Sequence, residues 1–193
     1  MIMTNRPKFY RFHQGAEVLP FAPSEYDARL KGLRQIMAAK GVAAAVFTSM
    51  HNIAYYSGFL YCAFGRPYAL VVTATENVTI SAGIDAAQPW RRCHGDNITY
   101  TDWERDNYWR AILSVTGSGA VIGMEGDHLT LVQSQKLEAF LAPSRIVDIA
   151  PATMVQRMKK SQAELDLIRH GAGVADVGGY AIHEAARGGV REI

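Results

Sequence analysis

Six short stretches rich in apolar and β-branched residues, separated by turn signals and helical patterns, restrict the fold of this chain more than any other feature. They lie at residues 42–48, 69–73, 78–82, 97–101, 120–124 and 145–149. The pair at 69–73 and 78–82, joined across Thr75-Glu76-Asn77, predicts a hairpin. Helices are predicted at 24–40, near 85–92, at 107–115 and at 130–141. The first is signalled by the hydroxyl of Ser24 with a carboxylate at Asp27, ahead of Leu30, Leu33 and Met37, and by Gly41 as its stop. Strands alternating with helices bury both faces of a sheet, so the fold class is α/β with a mixed sheet flanked by helices. Residues 1–158 are assigned to this domain.

Residues 159–193 follow a different rule. Ser161 and Glu164 form a capping-box pair ahead of a stripe at Leu165, Ile168, Ala172, Ala175 and Ile182, which predicts one long helix over 161–187. Gly171, Gly173, Gly178 and Gly179 interrupt it, each at a cost of about 1 kcal/mol relative to alanine. Small residues at near-helical spacing admit a second backbone, so the stripe is expected to rest on a sheet or helix of a second domain or, lacking one, to dock on another copy or fray.

Composition narrows the partners. The 193 residues are 49% hydrophobic, enough for a sizeable core, and 20 basic against 18 acidic side chains leave a net charge of +2. No block of basic residues stands out, so neither nucleic acid nor an anionic membrane surface is an expected partner. No apolar run approaches the roughly 18 residues of a membrane helix, and the first residues hold no signal core, which predicts a cytoplasmic protein. Cys62 and Cys93 lie far apart with no CxxC spacing, as reduced thiols packed like small hydrophobes would.

Local catalytic motifs are few. The six histidines, His13, His51, His94, His128, His170 and His183, have no HxxxH or HExxH spacing and no clustered carboxylates, so no metal and no cofactor are expected. His51, beside Asn52 and ahead of two tyrosines, is either a structural histidine or a catalytic one. The structural role is favoured because no carboxylate near it in sequence is placed to orient it. His128, after Asp127, is read the same way. Gly117-Ser118-Gly119 precedes a strand and reads as a turn rather than a phosphate loop. Trp90-Arg91-Arg92 and Asp102-Trp103-Glu104-Arg105-Asp106 mix aromatic and charged side chains, as either an interface or solvated element ends would.

One segment carries a sharper signal. In Phe59-Leu60-Tyr61-Cys62-Ala63-Phe64-Gly65-Arg66-Pro67-Tyr68 an arginine stands between glycine and proline inside an apolar, aromatic run. Gly65 permits close approach to the backbone, and Pro67 confines the residue before it to extended conformations. A planar guanidinium on such a stiffened segment suits a carboxylate, either an internal Asp or Glu or one on a ligand.

The residues themselves leave that choice open, and a resemblance decides it. Thr48-Ser49-Met50-His51-Asn52-Ile53-Ala54-Tyr55-Tyr56-Ser57-Gly58, the Arg66 run, Gln88-Pro89-Trp90-Arg91-Arg92 and Asp96-Asn97-Ile98-Thr99-Tyr100-Thr101-Asp102-Trp103 resemble the amino-terminal half of bacterial creatinases. The likeness is collinear from about Ser24 to the last residue. Arg157-Met158-Lys159-Lys160-Ser161-Gln162-Ala163-Glu164-Leu165 resembles a motif of the wider creatinase, prolidase and aminopeptidase P superfamily.

The resemblance implies a ribonuclease H-like amino-terminal domain followed by the first helix of a pita-bread catalytic domain that these residues do not include. It also implies a metal-independent homodimer that hydrolyses creatine to sarcosine and urea. In that family the positions matching Phe64 and Arg66 enter the active site of the partner subunit, the ring lining the pocket and the guanidinium binding the substrate carboxylate. No catalytic residue is assigned within this chain, because the family's proton-shuttling histidine and paired glutamates lie in the other domain. By itself the chain is expected to be inactive. A noncatalytic peptide- or protein-binding module, or a hydrolase of ectoine or of an Xaa-Pro peptide, are the alternatives.

Overall fold

The computed structural model describes residues 6–15, 19–60, 65–85, 89–189 and 191. They form two compact units, Met1–Gln156 and Arg157–Ile193. The first holds a seven-stranded sheet: β1 (Phe9–Phe12), β2 (Ala44–Phe47), β3 (Ala69–Thr73), β4 (Asn77–Ala82), β5 (Asp96–Tyr100), β6 (Val121–Met124) and β7 (Arg145–Asp148). The spatial order is β1-β5-β4-β3-β2-β6-β7. Five of these strands, β2, β4, β5, β6 and β7, run one way, while β1 and β3 run the other. The sheet is therefore mixed, as expected, and the β3–β4 hairpin closes through the Thr73 N–H donating to Glu76 O at 2.9 Å.

Side-chain alternation along the strands builds two cores, one on each face. Ala44 and Val46 of β2 and Ala69 and Val71 of β3 face α3 (Asn107–Thr116) and α4 (Leu131–Leu141), where Ile112, Leu137 and Leu141 are fully buried. Ala45, Phe47, Leu70 and Val72 face the other way, against Leu30, Leu33 and Met37 of α1 (Pro23–Lys40) and Ile53 and Tyr56 of α2 (Met50–Ser57). On β4 and β5 this second face is polar. Thr79, Ser81, Asn97 and Thr99 are all buried there, and the Asn97 amide donates to Thr79 O, Thr79 Oγ1 and Ser81 Oγ at 3.0–3.1 Å. A buried polar face is tolerable only when its groups satisfy one another, as these do.

Several expectations change on folding. Helix α1 starts one residue earlier, with Pro23 in its first turn and Ala22 as its N-cap, so the Ser24 hydroxyl does not cap it. Its stop is as read: Gly41 is left-handed at φ 64°, with Gly41 and Val42 donating back to Ala38 O and Met37 O. The segment near 85–92 forms no α-helix among the described residues, only single 3₁₀ turns at Gly83–Asp85 and Pro89–Arg91. Helix α2 and helix α5 (Ala150–Met158) carry too few periods to stand out in sequence, and strand β1 has no buried residue to mark it.

The second unit is dominated by α6 (Gln162–Ala185). Its capping box forms as expected: the Glu164 N–H donates to Ser161 Oγ, and the Ser161 N–H donates to Glu164 Oε2 at 2.9 Å. None of its residues is buried, with Ile168 54% and Ile182 70% exposed.

Candidate functional site

The carboxyl ends of β2, β4, β5 and β6 and the start of β3 lie on one edge of the sheet. In open α/β sheets this edge is where ligands bind, because loops leaving parallel strands diverge there. Two clusters of polar and charged side chains sit on it.

Arg66 belongs to the first. It precedes β3 on a segment pinned from two sides: the Tyr100 hydroxyl of β5 donates to Pro67 O at 2.9 Å, and the Tyr108 hydroxyl of α3 donates to Tyr68 O at 3.2 Å. The Tyr68 hydroxyl in turn bonds Asp85. Gly65 is left-handed at φ 66°, a conformation that glycine adopts without strain. Burial, aided by the charges of Asp102 and Asp85 and opposed by Arg66, holds the Tyr100 phenol well above its ordinary pKa. Tyr100 thus remains a protonated donor throughout the working range. Phe64, the other residue of the expected substrate contact, lies outside the described residues.

Arg66 does have an internal partner. Its Nη1 lies 3.2 Å from Asp102 Oδ1, with the two side chains 48% and 43% exposed. A guanidinium has five N–H donors, and this contact uses one corner of the fork. A cavity of about 580 Å³ opens beside the pair, lined by Arg66, Tyr100, Asp102, Asn107, Trp109 and Lys136 among others.

The charged stretch after β5 is held mainly by ion pairs within the domain. Glu104 lies 3.0 Å from Arg110 and 3.5 Å from Lys8, Asp106 lies 2.9 Å from Lys136, and Arg6 stacks over Trp103 at 4.5 Å. Asp106 precedes α3 in the left-handed region at φ 66° without capping the helix through its side chain. Non-glycine residues are uncommon there, aspartate being among the more tolerant.

The second cluster was not visible in the sequence. Glu125, 1% exposed at the end of β6, accepts the backbone N–H groups of Thr48 and Ser49 at 2.7 and 3.0 Å, the Ser49 hydroxyl, and the Asn52 amide. This carboxylate fastens the β2–α2 turn to β6. His128 Nδ1 lies 2.9 Å from Thr48 Oγ1, and His51 Nε2 lies 3.3 Å from Ser49 Oγ. This carboxylate, 76 positions beyond Ser49, engages Ser49 and Asn52, the residues on either side of the Met50-His51 pair in sequence. The only local signal was a polar run, Glu125-Gly126-Asp127-His128, directly after an apolar strand. Among the described residues no group of three or more His, Cys, Asp or Glu side chains is arranged to hold a metal ion.

Comparison with known proteins adds the following. The family model described as the creatinase/prolidase N-terminal domain matches residues 29–159. A creatinase from Bacillus sp. (strain B-0618) is 48% identical over 183 residues, which is 92% of this chain and 44% of the relative. The chain spans less than half the length of the curated relatives it matches, at 44% and 49%. Among solved structures, the N-terminal domain of an X-Pro dipeptidase from Streptococcus pyogenes superimposes with a TM-score of 0.59 at 23% identity, over 66% of this chain and 97% of that one. The prolidase from Pyrococcus horikoshii OT3 gives 0.70 at 16% identity, over 86% of this chain and 45% of that one.

Proposed function

Because the chain belongs to the creatinase/prolidase N-terminal domain family, we propose that it is the amino-terminal part of a creatinase, acting in a cytoplasmic homodimer that hydrolyses creatine to sarcosine and urea. In that reaction water adds to the guanidinium carbon, the bond from this carbon to the N-methyl nitrogen breaks, and that nitrogen takes up a proton as sarcosine leaves. The chain's share is recognition: Arg66, with Phe64 beside it, meets the substrate carboxylate in the active site of the partner subunit. The 48% identity to a creatinase favours creatine over Xaa-Pro peptides, since the prolidase and dipeptidase structures compared here share the fold at 16–23% identity.

The observation that carries this reading is the state of Arg66. Its segment is anchored at Pro67 and Tyr68, and its ion pair with Asp102 is made through Nη1. A guanidinium already held in place loses little freedom on gripping a carboxylate through two parallel hydrogen bonds.

The test is made in the full-length protein. Arg66→Lys keeps a point charge and loses the planar fork, so KM for creatine should rise about tenfold, and Arg66→Ala should raise it further. Arg66→Ala chains co-expressed with chains lacking the catalytic histidine should form hybrid dimers in which one site regains activity. Hybrids as inactive as either parent would rule out a site shared between subunits.

A further inference from the structure

We infer that Asp102 is a positioning residue for Arg66: it holds the Nη1 corner of the guanidinium so that the Nε–Nη2 edge is left for a ligand carboxylate. This rests on the carboxylate-recognition role proposed above and adds to it the group that aims the arginine. The geometry begins with Nη1 at 3.2 Å from Asp102 Oδ1. Among the described residues Asp102 is the charged side chain paired with Arg66, and the contact is made through Nη1. A carboxylate gripped through two parallel N–H donors needs one edge of the fork, and the Nε–Nη2 edge is the one that the Nη1 contact does not use.

Both ends of the pair are fixed independently. Arg66 precedes the two carbonyls held by the Tyr100 and Tyr108 hydroxyls. Asp102 follows Thr101, whose hydroxyl donates to Pro7 O and Lys8 O at 2.9 Å and whose carbonyl accepts from the buried Asn107 amide at 3.0 Å. The two side chains therefore meet between backbones that cannot drift apart. Their pairing is also too exposed to matter much for stability, since half-exposed ion pairs contribute about 0–1 kcal/mol. A contact that adds little to the fold, yet is built on two braced segments, has orientation as its remaining effect.

Asp102→Asn tests this in the full-length protein, because asparagine keeps the shape and removes the charge that holds Nη1. The expected result is a rise in KM for creatine of about tenfold with kcat within about twofold, Asp102→Glu recovering part of the loss. In an Arg66→Ala background, where there is no guanidinium to aim, Asp102→Asn should change kcat/KM by less than about twofold. A KM that is unchanged or lowered in Asp102→Asn, or the same loss of kcat/KM in both backgrounds, would overturn the assignment. If Arg66→Ala itself leaves KM unchanged, the carboxylate-recognition role fails. If Arg66→Ala raises KM and Asp102→Asn does not, only the positioning role fails.

Discussion

Glu125 shows how one side chain can hold together segments distant in sequence. Its carboxylate is buried and accepts from two backbone N–H groups, a hydroxyl and an amide of the β2–α2 connection. Glu125→Ala would leave several of these donors unpaired in the interior, so it should cost about 3 kcal/mol or more in a urea titration. Glu125→Gln retains one acceptor oxygen and should cost less. Cys93, 1% exposed, gives a pH dependence of definite sign. Burial pushes its thiol up from 9.0 to about 11, the nearby charge of Asp96 acting the same way and the Thr79 hydrogen bond opposing. The folded pKa exceeds the unfolded one, so this contribution is complete below pH 9, declines as pH rises and is lost above about 11. Urea midpoints measured from pH 8 to 11 should fall with pH, and the slope should be shallower in Cys93→Ala. The arginine, by contrast, was half legible. The Gly-Arg-Pro setting called for a carboxylate, while its identity as Asp102 depended on β5 ending at the same edge of the sheet where β3 starts, across β4, which no local pattern records.

Among the elements, helix ends were readable in part, because capping is a local exchange between a backbone and a nearby side chain: the Gly41 stop and the Ser161–Glu164 box form as read, whereas Ser24 does not cap α1. Thr130 and Ser161 both form complete capping boxes, with Gln133 and Glu164. Ser161→Ala should lower the helicity of α6, by about 1 kcal/mol of helix stability read by circular dichroism of the chain. Two left-handed glycines should respond differently to alanine. At Gly41 an added Cβ meets nothing nearer than Arg145 Nη2 at 3.9 Å, so Gly41→Ala should cost about 1 kcal/mol for its φ of 64° alone. At Gly95, with φ 103°, the Cβ would overlap the Asn77 carbonyl and side chain, so Gly95→Ala should be markedly worse in the same denaturation experiment. Short elements escaped the sequence for a physical reason. Helix α2 spans eight residues, too few turns for a face to declare itself, and strand β1, no shorter than β2, β6 or β7, is an edge strand with Tyr10 and Arg11 exposed and no buried residue.

For the whole molecule, the exposed stripe of α6 is the feature that bears on assembly. Apart from the helix itself, no atom stands within 4 Å of where a Cβ would be added at Gly171, Gly173, Gly178 or Gly179. Gly171→Ala and Gly173→Ala should therefore raise the helicity of the 193-residue chain, by about 1 kcal/mol each. In the full-length protein the same changes should lower thermal stability if another backbone packs against these glycines, a sign reversal that calorimetry would detect. The chain by itself is expected to release no urea from creatine, since general acid–base catalysis needs a positioned donor and acceptor and no residue of this chain is assigned either part. No helix among the described residues is long and apolar enough to cross a membrane. By itself the sequence determined the α/β class, most strand positions, the long capped helix and the arginine that needs an anion. These rest on interactions within a few residues: periodicity, capping, and the stiffness of a Gly-Arg-Pro segment. Only the tertiary structure decided the strand order, the polar inner face of β4 and β5, the Glu125 clasp and the Asp102 partner of Arg66. Each of these joins groups far apart along the chain, and such a meeting follows from how packed layers bring strand ends to a common edge.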